Sequence, residues 1–178
     1  TNTDTHNVAV GDNAGVSVTT AIQNTIVGAN ALDAATTGAA NVAIGYQALS
    51  GDTKGQNNVA VGHNALFAQN FTTETNSYNV AVGSQAGISV TTGNQNTIVG
   101  GLAGDAFTTG TDNVAVGYAA LSAEDAHGLN VAVGSQALRV QNAGANAYNV
   151  GIGYNAGGAV TTGIVNTIIG GLAGDALT

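Results

Sequence analysis

Apolar residues come in threes along this chain, and each triplet sits between an Asn and a Gly. The first is Asn7-Val8-Ala9-Val10-Gly11, and the same frame restarts at Asn24, Asn41, Asn58, Asn79, Asn96, Asn113, Asn130, Asn149 and Asn166. Successive starts are 17, 17, 17, 21, 17, 17, 17, 19 and 17 residues apart. A fixed period of this size marks a repeat architecture. Short β-branched runs bounded by Asn and Gly read as strands closed by turns. No apolar i, i+3, i+4 pattern persists, and Gly interrupts too often for helix. Seventeen residues suffice for two short strands and two turns, which is one coil of a β-solenoid. Stacked coils pair each strand with counterparts ~4.8 Å away. The predicted fold is all-β, a parallel β-roll or β-solenoid of ten coils in one array over residues 1–178.

With the Asn as first residue of each coil, the fifth is always Gly: Gly11, Gly28, Gly45, Gly62, Gly83, Gly100, Gly117, Gly134, Gly153 and Gly170. The eighth is always Ala, from Ala14 to Ala173. Asn repeated at one level can form a side-chain ladder along the stack, and Gly after a strand suits a turn at positive φ or a close backbone approach. All twenty positions are read as structural. Strand side chains alternate faces, so Val8 and Val10 point one way and Ala9 the other. Both faces are apolar in every coil, as in Asn24-Thr25-Ile26-Val27-Gly28. A strand of that kind is buried on both faces. One face packs inside the coil and the other against another chain, which predicts an obligate oligomer.

The coils also group in fours. Gly100-Gly101-Leu102-Ala103-Gly104-Asp105-Ala106 reappears at 170–176, and Tyr46 with Ala48-Leu49-Ser50 matches Tyr118 with Ala120-Leu121-Ser122. The coils starting at Asn58 and Asn130 are long, and each ends in Tyr, Tyr78 and Tyr148. The super-repeats span 7–78, 79–148 and, in part, 149–178. The chain opens on Thr1 and stops partway through a coil without a polar cap, so it is read as a section of a longer or processed array.

Composition narrows the partners. Two basic and ten acidic residues give a formal charge of -8, against nucleic acid or anionic membrane, which need clustered Lys and Arg. Only 7% of residues are charged, where a typical soluble domain has about 25%. With no Cys, Met, Trp or Pro, there are neither disulfides nor thiolate metal sites, and a thin core of small residues is expected. No stretch approaches the ~18 unbroken apolar residues of a membrane span.

The runs Asn41-Val42-Ala43-Ile44-Gly45-Tyr46-Gln47-Ala48-Leu49 and Asn113-Val114-Ala115-Val116-Gly117-Tyr118-Ala119-Ala120-Leu121 resemble the head repeats of YadA-like trimeric autotransporter adhesins. They are more similar still to the NTAVGYQAL-type repeats of phage tail-fibre proteins. The resemblance spans residues 7–178, although adhesin head repeats are shorter. It implies a left-handed parallel β-roll wound as a homotrimer, and an extracellular fibre on a virion or cell surface. The expected function is the shaft or head of a tail-fibre-like host-attachment protein. The alternatives are a bacterial adhesin head, a self-assembling extracellular filament, or an ice- or glycan-binding module.

The scattered acidic residues predict neither enzyme nor cofactor. Asp12, Asp33, Asp52 and Glu74 sit at different levels of their coils, whereas carboxylate catalysis needs defined facing pairs. Glu124 and Asp125 are adjacent, but consecutive strand residues diverge. His6, His63 and His127 lie in different coils without His-x-x-x-His spacing, so no metal site is expected. Asp33, Asp105 and Asp175 share the tenth position and read as solvated turn carboxylates, with an ion shared between three chains as the alternative. Ice binding would use Thr-x-Thr ranks, but the Thr here come as adjacent pairs. The long coils offer the candidate surface contacts Phe71, Tyr78, Arg139 and Tyr148, since insertions in solenoids map to surface loops. An aromatic platform for a cell-surface glycan or protein receptor is one reading; Tyr side chains covering the next coil's edge is the other.

Overall fold

The computed structural model describes residues 5–176 of the chain; Asp4 and the last two positions of the array lie outside that range. The described residues form strands and turns with no helix. Each Asn is followed by a three-residue strand: β1 (Val8–Val10), β2 (Thr25–Val27), β3 (Val42–Ile44), β5 (Val59–Val61), β7 (Val80–Val82), β8 (Thr97–Val99), β9 (Val114–Val116), β10 (Val131–Val133), β11 (Val150–Ile152) and β12 (Thr167–Ile169). These ten make one parallel sheet in which every coil pairs with the next in strict register, Val8 beside Thr25 and Ile26 beside Ala43. Nine steps of ~4.8 Å give a stack about 43 Å tall.

A second strand per coil was expected and is found only beside the first long coil, where β4 (Gly55–Gln56) pairs with β6 (Thr75–Asn76). Elsewhere the rest of the coil is turns. Besides the fifth-position Gly, every coil has three residues in the left-handed region: the one before the Asn, the seventh and the ninth. In the coil of Asn58 these are Asn57 (φ 61°), Asn64 (55°) and Leu66 (50°). Each left-handed residue bends the chain sharply, so the coil closes in seventeen residues. The turns still bond to the next coil, as in Leu49 N–H to the Ala65 carbonyl at 2.9 Å.

The fifth-position Gly column is required by the stacking distance itself. Gly62 has φ +141°, and a Cβ there would lie 2.3 Å from the Gly83 carbonyl oxygen. An L-residue is excluded twice over, by its own backbone and by the coil next to it.

The Asn column does more than the expected amide ladder. Each Asn side-chain oxygen accepts the backbone N–H of the next Asn, from Asn7 to Asn24 (2.8 Å) through Asn149 to Asn166 (2.9 Å). Most of the amide nitrogens donate to a carbonyl at the fifteenth position of their own coil, such as Asn24 to Gly38 and Asn96 to Gly110, both 2.9 Å. Direct amide-to-amide bonds join only some steps, including Asn96 Nδ2 to Asn79 Oδ1 at 3.2 Å. The side chain therefore staples the start of a coil to its end and ties it to its neighbour. From Asn24 to Asn149 these residues are fully buried, so the bonds form away from competing water.

The core is one side chain wide. It holds the strand centres (Ile26, Ala43, Ala60, Ala81, Ile98, Ala115, Ala132), the eighth-position Ala column and the ninth-position Leu residues. Where the ninth residue is Gly, bulk comes from the twelfth (Val18, Val90, Phe107, Val160), and the next strand centre is often Ile. A Cβ on Gly87 would sit 2.8 Å from Ile98 Cδ1 and 3.2 Å from Val90 Cγ2. Where the ninth is Leu, the twelfth is Ala35, Asp52, Gln69, Glu124 or Gln141. Size is traded between columns to hold interior density constant.

Within the single chain the strand is buried on one face only. The central residue points inward, while Val8, Val10, Ile44, Val82, Ile152 and Ile169 point outward and are 36–66% exposed in the single chain.

Two predictions follow from these columns. Gly62→Ala lowers unfolding free energy by more than about 3 kcal/mol. Gly101→Ala, whose Cβ would have no neighbour nearer than 3.8 Å, costs under about 0.5 kcal/mol; urea denaturation distinguishes them. Asn96→Leu leaves the Asn113 amide and the Gly110 carbonyl without their side-chain partners. Measured the same way, it costs about 3 kcal/mol or more.

Candidate functional site

The four large residues of the long coils part company in the structure. Phe71 is buried, at 6% exposure, and is not a surface contact. Its N–H donates to Asp52 Oδ1 (3.1 Å) and its carbonyl accepts from Thr53 Oγ1 (2.9 Å), so it closes the interior over Asp52. Tyr78 and Tyr148 are 53% and 55% exposed, and Arg139 is exposed. Both Tyr occupy the left-handed position before an Asn (φ 49° and 53°). Part of the extra length in the first long coil is spent on β6 and on Ser77, whose hydroxyl donates to Asn58 Oδ1 at 2.8 Å.

A separate aromatic group lies just past the strands. Tyr46 stacks on His63 of the next coil with ring centroids 5.6 Å apart and planes 12° apart. Tyr118 and Tyr154 hold the same sixth position and are exposed.

The paired Thr divide their labour. The first of each pair forms a hydroxyl-to-carbonyl ladder, Thr19 to Thr36 (2.9 Å) and Thr91 to Thr108 (3.0 Å). That rank is committed to holding the coils together. Of the tenth-position carboxylates, Asp33 and Asp105 are half-buried and Asp175 is exposed. Burial pushes the Asp105 carboxyl above its ordinary range, partly offset by the nearby amides of Asp105 and Ala106.

The most polar interior point is the twelfth-position column, which the sequence did not reveal as interior. Its occupants alternate between Val, Ala, Phe and polar residues, so no apolar rhythm marks it. In the first super-repeat Asp52 is fully bonded: Oδ1 accepts from the Gly55 and Phe71 amides, and Oδ2 accepts from Gln69 Nε2 at 2.6 Å. Gln69 Oε1 accepts in turn from Asn79 Nδ2 at 2.9 Å. In the second super-repeat the same column holds Glu124 and Gln141, both fully buried. There Glu124 Oε1 accepts the His127 N–H at 3.2 Å and lies 3.4 Å from His127 Nδ1. Burial pushes the Glu124 carboxyl upward, and the His127 amide and ring work against that.

The segment carrying Glu124, Asp125 and His127 is a turn, not a strand. Adjacent side chains therefore converge rather than diverge, and the three offer ligand atoms within 4.8 Å of one another. The spacing rules that treated Glu124–Asp125 and His127 separately had no access to this turn.

No family model, curated protein or solved structure matches this chain. The class defined is thus architectural, a β-solenoid repeat protein of ten stacked coils.

Asp105 yields a pH prediction. Its raised folded-state pKa means that its contribution to stability is fully present below the unfolded value of about 3.8 and is lost as pH rises through the folded value. Asp105→Asn removes the buried charge. It is expected to raise the melting temperature at pH 7 and leave it nearly unchanged at pH 3, read by thermal melts monitored with circular dichroism.

Proposed function

We propose that this chain is the shaft of an extracellular homotrimeric fibre, of the kind phage tail fibres use for host attachment. The observation that carries the reading is the outward face of the long sheet. At the second and fourth positions of each coil every residue is Val or Ile except Thr25, Thr97 and Thr167. This uncharged strip runs the full height of the stack and is partly exposed in the single chain. Contiguous apolar surface on that scale marks an interaction face. Its occupant is a second and third copy of the same chain. The strip repeats at the coil spacing, so identical strips can meet in register along their whole length, and no charge opposes close approach. Left-handed winding around such a shared seam accords with the resemblance noted above.

Function then falls to the other half of the coil. The stack acts as a stiff spacer, and the exposed Tyr78 and Tyr148 decorate it four coils apart, about 19 Å along the axis. Aromatic faces on a rigid rod suit a cell-surface glycan or protein receptor. An adhesin head or a self-assembling filament would use the same seam and differ in what is attached to its ends.

Sedimentation equilibrium is expected to give three times the 17.2 kDa chain mass. The double substitution Val82→Lys with Val116→Lys, on the strip, is expected to yield monomers. Thr92→Lys, on the exposed opposite half, is expected to leave the trimer intact. A folded monomer at micromolar concentration contradicts the reading.

A further inference from the structure

The two matching super-repeats place different chemistry at one point of the fold. Where the coil of Asn41 has Asp52, Thr53, Lys54 and Gly55, its counterpart has Glu124, Asp125, Ala126 and His127. One carboxylate with a Lys nearby becomes two carboxylates without one. Gly55 could not carry a side chain beside Asp52, because its Cβ would fall 2.0 Å from Asp52 Oδ2. In the second super-repeat that position holds an imidazole, with Nδ1 facing the Glu124 carboxylate. Phe71, which closes the interior over Asp52, is replaced by Ala143.

Hydrogen bonding changes with the substitutions. Asp52 and Gln69 satisfy each other, but Glu124 Oε2, His127 Nδ1 and both amide atoms of Gln141 are buried without a hydrogen-bond partner. They are four of the seven such side-chain atoms among the described residues, concentrated in two adjacent coils. Asn142 Nδ2 bonds the Ala123 carbonyl at 3.2 Å, tying together the two adjacent coils in which Gln141 and Glu124 hold the same column position as Gln69 and Asp52. Buried polar atoms left unpaired are costly, and a local concentration of them calls for a partner that the chain itself does not supply.

We propose that Glu124, Asp125, His127 and Gln141 form a binding site for a divalent transition cation of the zinc class. The spacing fits: two ligand atoms about 2.1 Å from one ion at a tetrahedral angle lie about 3.4 Å apart, the separation of Glu124 Oε1 and His127 Nδ1. Asp125 completes a set within 4.8 Å, and the Gln141 carbonyl oxygen supplies a fourth ligand from the next coil. The cation neutralises two carboxylates, and the imidazole nitrogen selects zinc-like ions over magnesium or calcium. Asp125 is exposed and gives the ion an entry path. Bridging two coils, the ion would do in the second super-repeat what the Asp52–Gln69 bond does in the first.

Isothermal titration of chelator-treated protein with zinc chloride tests this. One zinc per chain is expected, with a higher melting temperature in zinc than in chelator. Glu124→Gln and His127→Ala should each weaken binding at least tenfold, while Asp52→Asn leaves it unchanged. Circular dichroism in chelator verifies that each variant is folded, and cobalt substitution gives an independent visible-absorption signature that His127→Ala removes. The proposal is overturned by no saturable zinc uptake up to ~1 mM. It is equally overturned by uptake that both site variants retain, or by calcium binding as tightly as zinc without dependence on His127.

Discussion

A coil one side chain thick cannot bury its backbone polar groups against anything but the coils on either side of it. That constraint shapes the molecule. Each coil has a strand of only three residues, so ladder bonds alone leave much of the turn region to be satisfied. The Asn column meets this need with one residue type. Its oxygen takes the next coil's N–H, and its nitrogen typically takes a carbonyl from the far turn of its own coil, as in the Asn41 bonds to Asn58 and Gly55. The Gly column is the steric counterpart, since coils tied this closely bring backbone carbonyls to where a Cβ would stand. The Thr ladder repeats the logic on the opposite side of the coil with a hydroxyl.

These columns were legible in the sequence because each admits essentially one residue type. Asn at the first position and Gly at the fifth recur without exception, and their period alone yields a parallel solenoid. Other features were not legible, for physical reasons. The left-handed residues before the Asn and at the seventh and ninth positions are mostly Leu, Gln, Asn, Ala or Tyr, with Gly only at some ninth positions. Stacking bonds compel a conformation that local preference does not announce. The second strand expected in each coil gives way to these turns. Phe71 looked like a loop aromatic, because the sequence does not show that the twelfth position beneath it is interior. The convergence of Glu124, Asp125 and His127 was hidden by treating their segment as extended, when a turn brings them together.

The coil thus divides into two halves with separate duties. The strand half is uniform, uncharged and self-repeating, suited to identical copies meeting along a common axis. The turn half carries most of the variation: the exposed Tyr residues, the long-coil insertions and the alternating twelfth-position column. Variation there is tolerated because the Asn and Gly columns hold the register independently. Paired coils of the two super-repeats can therefore differ as much as Asp52–Gln69 and Glu124–Gln141 do while keeping the same strand register.

The account stands on the Asn column as the element that locks register. Amide hydrogen exchange followed by NMR measures this directly, because the backbone N–H of each Asn donates to a side chain rather than to a ladder carbonyl. The amides of Asn58, Asn79, Asn96 and Asn113 are predicted to exchange only through global unfolding, as slowly as those of the strand centres Ala60, Ala81, Ile98 and Ala115. Exchange of these Asn amides within minutes, while the strand centres stay protected, would show that the side-chain column is not closed and contradict the account.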